Sequence, residues 1–144
     1  MISLPDVGVL VALFDPAHVH HERAHQWFSE NRAEGWATCA STENGLVSVL
    51  AHPGYPGRRT TVGDAFERLR AFAEAEDHHF WPGSTSLRRT SRIDTRSLGG
   101  YEQVQDAYLL LLAVENEGRL VTFDPNVPVH AVHRAKPEQV VLLG

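Results

Sequence analysis

An α/β fold built on a mostly parallel sheet is predicted by three features of this chain. Short apolar runs alternate with segments of helical periodicity, as strands do when helices return the chain for parallel pairing. Acidic residues stand where these runs end or where helices begin, at Asp6, Glu43, Asp106 and Asp124. The length of 144 residues, with 42% hydrophobic and 22% charged, suits one globular domain spanning 1–144.

The elements follow in order. Residues 2–5 read as a first strand ended by Pro5, which has no N–H for a ladder. Val7 to Phe14 reads as a short apolar helix stopping at Asp15-Pro16. Ala17 to Arg32 places Ala24, Trp27 and Phe28 at helical spacing, predicting an amphipathic helix. Trp36 to Ala40, after Gly35, reads as the second strand. Ser41 or Thr42 is expected to cap a helix running to about His52, with Glu43 in its first turn, where the helix dipole favours an anion.

A loop is expected over His52 to Gly57 from its Pro and Gly content, then a helix over 62–75 with Phe66, Leu69 and Ala73 on one face. His79 to Pro82 reads as a strand, and 83–100 has no clean period. Tyr101 to Glu117 predicts a helix with a wholly apolar core, Leu109 to Val114, ended by Gly118 as its C-cap. Leu120 to Phe123 and Val140 to Leu143 complete the strands.

Cys39 is the sole cysteine, which excludes an intrachain disulfide and fits a reducing compartment. The longest apolar run, Val7 to Phe14, is too short to span a bilayer and no basic segment precedes it, so a cytoplasmic protein without membrane contact is expected. A net charge of −5 opposes nucleic-acid binding. Cations held by the acids would offset that charge locally, and positive charge is concentrated at Arg58-Arg59 and at Arg88, Arg89, Arg92 and Arg96. Those arginines read equally as solvated loop residues.

Carboxylates at strand ends of a parallel sheet face a common crevice, the usual ligand site of open α/β folds. Gathered there, they repel and raise one another's pKa unless a divalent cation holds them. Singly, Glu43 reads as a helix-start charge and Asp124 as a turn former before Pro125. Together the four point to a site for a hard, oxygen-preferring cation. His18, His21 and His25 share helical spacing, but solvent-facing or partner-facing histidines are the default reading there. Ser41 and Thr42 have no base placed by sequence to activate them.

The segments Leu4-Pro5-Asp6-Val7-Gly8-Val9-Leu10, Thr42-Glu43-Asn44-Gly45, Asp106-Ala107-Tyr108-Leu109-Leu110 and Thr122-Phe123-Asp124 resemble the four acidic motifs of PIN-domain ribonucleases, and more narrowly of VapC toxins from bacterial type II toxin–antitoxin pairs. The resemblance covers essentially the whole chain, including His20 to Phe28 and His79 to Pro82. It implies a three-layer α/β/α sandwich and an RNA endonuclease dependent on Mg²⁺ or Mn²⁺. It further implies tRNA or ribosomal RNA as substrate, a VapB-type antitoxin as inhibitor, and a homodimer with apolar surface near 47–50 and 66–72. Asp6 and Asp106 are the expected direct metal ligands, with Glu43 and Asp124 as further ligands or as groups orienting water. The chain departs from the family at Gly8, where an Asn usually follows the first Asp by two residues, and Pro5 alters the strand end before Asp6. A second reading is therefore a catalytically impaired module that binds antitoxin or RNA.

Overall fold

The computed structural model describes every residue except Ser84, Arg89 and Thr90. Five short strands form one sheet, β1 (Ser3–Pro5), β2 (Trp36–Thr38), β3 (His78–Phe80), β4 (Arg119–Thr122) and β5 (Val140–Leu142). Their order is β3-β2-β1-β4-β5, and every pairing between them is parallel. Five α-helices, α1 (Val7–Phe14), α2 (His21–Asn31), α3 (Ala40–Leu50), α4 (Val62–Ala73) and α5 (Val104–Glu115), cover the two faces.

Side-chain alternation along the strands splits the core in two. Trp36 and Val121 point into a cluster with α1, α2 and Leu46 and Leu50 of α3. Leu4, Ala37 and Leu120 point the other way, onto Leu109 to Ala113 of α5. This is the expected three-layer sandwich. The chain leaves β1 toward β2 on one side and reaches β4 on the other, so the topological switch point lies between β1 and β4, where open α/β sheets bind ligands.

Several element ends differ from expectation for identifiable reasons. Helix α2 begins at His21 rather than Ala17, because Asp15 Oδ1 accepts the Ala17 N–H at 3.0 Å and His18 Nδ1 accepts the His20 N–H at 3.0 Å, holding a turn there. Helix α3 starts at Ala40 with Cys39 as its cap, not Ser41 or Thr42. Thr42 Oγ1 instead reaches back to accept the Cys39 N–H at 3.0 Å. Phe66 of α4 is exposed, and the inward face is carried by Ala65, Leu69 and Phe72. Strand β3 starts at His78, and Trp81 leaves it to enter the α5-side core. The segment before α5 holds a 3-10 turn at Thr95–Ser97 and an antiparallel bridge between Ile93 and Val132, while Arg89 of the basic stretch lies outside the described residues.

The end of α5 is a further correction. Glu117, not Gly118, takes the left-handed conformation, with φ 54°. The Glu117 N–H donates to Val114 O at 3.1 Å and the Gly118 N–H to Ala113 O at 2.8 Å, a complete Schellman motif. Glycine is needed at 118 for space: a Cβ there would lie 2.5 Å from Ile2 O and 2.6 Å from the Trp81 ring. Gly118→Ala is therefore expected to destabilise the fold by about 1–3 kcal/mol through overpacking, whereas Glu117→Gly should be neutral or stabilising because it relieves the positive φ. Urea unfolding of both variants checks this, and a neutral Gly118→Ala would contradict the packing argument.

Candidate active site

Asp6 sits where β1 becomes α1. Its extended backbone (φ −74°, ψ 177°) lets Oδ1 cap the helix by accepting the Val9 N–H at 2.9 Å. The Asp6 N–H continues the β1–β4 ladder to Val121 O at 2.9 Å. Alternation places the missing Pro5 N–H on the β2 side, and the Ser3 N–H donates in that direction to Gly35 O. Pro5 thus leaves intact the bond that aims Asp6. The second carboxylate oxygen, Oδ2, accepts the Thr122 hydroxyl at 2.6 Å. Burial pushes the Asp6 carboxyl above its ordinary pKa, opposed by the Thr122 and Val9 bonds and reinforced by the charge of Asp124.

Asp124 stands two residues beyond the last residue of β4. Its N–H donates to Thr122 Oγ1 at 2.9 Å and its Oδ1 accepts the Asn126 N–H at 2.8 Å, so the carboxylate is fixed by a local turn. Thr122 therefore binds both strand-end aspartates. Asp106 arrives from the opposite layer, in the first turn of α5, and hydrogen-bonds to Asp124. Burial, that bond and the charges of Asp6 and Asp124 push the Asp106 carboxyl up to about 7. The same bond holds Asp124 below its ordinary value. Two carboxylates in contact cannot both ionise cheaply, so the pair favours one shared proton, in keeping with the opposite shifts of Asp106 and Asp124.

Glu43 occupies the first turn of α3. Its Oε2 accepts the Thr38 hydroxyl at 2.7 Å, and Thr38 Oγ1 lies 2.8 Å from His78 Nε2. Burial lowers the His78 pKa, partly opposed by the Glu43 charge. Helix α3 crosses close to α1 at Gly45, where a Cβ would lie 2.5 Å from Val7 Cγ2. This approach carries the first turn of α3 toward the Asp6-capped end of α1. The structure thus draws Asp6, Asp106 and Asp124 into mutual electrostatic contact and holds Glu43 by a separate set of partners.

Among the described residues, no three His, Cys, Asp or Glu side chains are already arranged around a common metal position. The donor chemistry nevertheless fits a hard divalent ion. Three carboxylates meet at the switch point, and their repulsion is relieved by a proton that a cation would replace. Thr38 and His78 escaped the sequence reading, and Thr122 and Gly45 stood within its motif segments with no role assigned to them.

The alternative site residues have structural partners. His21 Nδ1 bonds Ala12 O at 2.7 Å, and His20 stacks on Phe123 with ring centroids 4.7 Å apart. Ser41 Oγ accepts a hydrogen bond from Gln105 Nε2. Arg92 pairs with Glu115 at 2.8 Å and Arg96 with Asp94 at 3.5 Å.

Residues 3–132 match the PIN domain family. Ribonuclease VapC44 of Mycobacterium tuberculosis is 41% identical over 143 residues, covering 99% of this chain and 100% of the relative. From the same organism, Ribonuclease VapC38 is 40% identical over 135 residues, 94% of each chain. Ribonuclease VapC39 is 39% identical over 124 residues, 86% of this chain and 89% of the relative.

The shared proton sets the pH response. A carboxyl whose folded pKa lies near 7 against an ordinary 3.8 binds more protons folded than unfolded between those values. Stability of the metal-free protein should therefore fall as pH rises through that window. The depressed pKa of Asp124 acts at lower pH, where its contribution is lost on acidification. Thermal melting is expected to show a declining Tm from about pH 4 to about pH 7, and a Mn²⁺-induced rise that is larger above pH 7 than at pH 5. A flat profile would contradict the shared-proton arrangement.

Proposed function

The chain belongs to the PIN-domain family, with VapC ribonucleases as relatives over nearly its full length, and from that premise we propose that it is an endoribonuclease acting as the toxin of a type II toxin–antitoxin pair. The observation that carries the reading is the convergence of Asp6, Asp106 and Asp124 at the β1/β4 switch point, where burial and neighbouring charge raise the Asp6 and Asp106 carboxyls.

In this reading Asp6 and Asp106 hold Mg²⁺ or Mn²⁺ directly, and Asp124 and Glu43 complete the pocket. When bound, such an ion polarises the phosphodiester, makes a water acidic enough to attack phosphorus and neutralises the departing oxyanion. The protein's own contribution is orientation. Thr122 fixes the carboxylates of Asp6 and the backbone of Asp124, the α1 N-terminus fixes the other Asp6 oxygen, and Glu43 is aimed from α3 to orient the attacking water. An ion held by Asp106 would displace the proton its raised pKa favours, so binding is expected to strengthen as pH rises toward about 7.

The substrate in this reading is a structured RNA such as tRNA or ribosomal RNA. A VapB-type antitoxin and a second copy of the chain are the protein partners. Exposed Val62 and Phe66 on α4 and Val49 on α3 supply apolar surface for them. Between α3 and α4 lies a groove of about 1020 Å³ whose lining includes Phe66, Val62, Glu43 and Asn44, so a partner seated there would lie beside the acidic pocket. Among the described residues no helix is long and apolar enough to cross a membrane.

Gly8 supports the second reading, that of an impaired module. An added Cβ there would sit 3.5 Å from Asp6 Oδ1, an ordinary contact, so a side chain can start beside the carboxylate without displacing it. Incubating the purified chain with total tRNA and ribosomal RNA should give cleavage with Mg²⁺ or Mn²⁺, none with chelator, and none with Asp106→Asn. Metal-independent cutting, or cutting that survives Asp106→Asn, would refute the assignment. Gly8→Asn is expected to raise cleavage, on the order of 10-fold, by restoring an amide that orients Asp6. If Gly8→Asn alone brings activity to a silent chain, the impaired-module reading is the correct one for the natural sequence.

A further inference from the structure

Glu43 extends from the first turn of α3 on a flexible side chain, unlike the two aspartates fixed beyond strand ends, so something must hold its carboxylate. Thr38 is fully buried on β2 and has one hydroxyl hydrogen. That hydrogen goes to Glu43 Oε2 at 2.7 Å. His78 Nε2 lies 2.8 Å from Thr38 Oγ1, and with the hydroxyl hydrogen committed to Glu43 the imidazole is the donor in that contact. The direction of every bond is fixed: His78 Nε2–H to Thr38 Oγ1, and Thr38 Oγ1–H to Glu43 Oε2.

His78 is itself clamped. It pairs with Trp36 across the β2–β3 ladder, and its ring packs on the Trp36 indole with centroids 4.6 Å apart. Its neighbour Asp77 accepts from Trp36 Nε1 at 3.0 Å and from Arg32 Nε at 2.7 Å, and the Asp77 carbonyl accepts the Trp36 N–H at 3.0 Å. Arg32, at the end of α2, thus ties the start of the edge strand to β2, and the edge strand presents His78 to Thr38.

We propose that His78 and Thr38 are positioning residues for Glu43, a relay from the edge strand that aims its carboxylate at the metal pocket. The inference rests on Glu43 belonging to that pocket, as argued above. Neither residue touches RNA or metal; both act through Glu43. Orienting groups of this kind are typically worth 10–100-fold in metal affinity or activity.

The test measures Mn²⁺ affinity by paramagnetic resonance titration, with RNA cleavage in parallel, on the full chain. Thr38→Val and His78→Leu should each weaken Mn²⁺ binding about 10-fold or more. The double variant should be no worse than either single one, because both break the same relay. Thr38→Ser and His78→Gln retain the hydroxyl and the donor and should bind Mn²⁺ within about threefold of the natural chain, a rescue that a merely structural role would not show. Nitrogen NMR of the metal-free protein should find His78 protonated at Nε2. Unchanged affinity in Thr38→Val or His78→Leu, additive losses in the double variant, failed rescue, or an Nδ1–H histidine would each overturn the relay. Should Thr38→Val fail to fold, the His78 variants on the edge strand carry the test. Glu43→Gln separates the two levels: no effect on Mn²⁺ overturns the place of Glu43 in the pocket and the relay with it, whereas a loss there beside an unaffected Thr38→Val overturns the relay alone.

Discussion

Electrostatic repulsion among carboxylates gathered at the C-terminal ends of the central strands is the constraint on which the rest of the site depends. Asp6 and Asp124 end adjacent strands, and Asp106 is delivered against them by the first turn of α5. Brought together without compensation, three such charges would disfavour the compact state. The fold compensates in two ways. The Asp106 carboxyl is raised, which favours a proton shared with Asp124, and each remaining oxygen with a described partner accepts from a hydroxyl or a backbone N–H.

The sheet topology makes the gathering possible. Because the chain proceeds from β1 to β2 and later returns to β4 on the other side of β1, the two loops leaving β1 and β4 diverge to opposite layers. The crevice left between them is where Asp6 and Asp124 emerge. Thr122 then serves both, donating to Asp6 and accepting from the Asp124 backbone. Glu43 stands apart in its support, held through Thr38 by the β2–β3 side of the sheet.

Much of the fold was legible because its signals are local. The buried helix at Leu109 to Ala113 and the helix stop at Asp15-Pro16 follow from hydrophobic pattern and proline chemistry. Where expectation failed, the deciding contact came from elsewhere or from atypical capping chemistry. Cys39 caps α3 with help from Thr42, a pairing outside the usual cap preferences. Gly118 was read as a conformational glycine, but it is required by the Ile2 backbone and the Trp81 ring, which are far from it in sequence. Phe66 has the spacing of a core residue and faces solvent, because Ala65, Leu69 and Phe72 already fill the contact with the core. The acidic positions were visible as charges beside apolar runs. The proton between Asp106 and Asp124, and the link from His78 across 40 residues to Thr38, depend on contacts that only the assembled sheet creates.

The central claim is that the three-aspartate cluster at the switch point is the divalent-metal site. Anomalous diffraction from crystals grown with Mn²⁺ at pH 8 tests it most directly. The account predicts a peak between Asp6, Asp106 and Asp124, at about 2.0–2.2 Å from their oxygens, with the Asp106–Asp124 hydrogen bond opened. A saturated crystal with no peak there, or with its only strong peak among the histidines of α2, would contradict it.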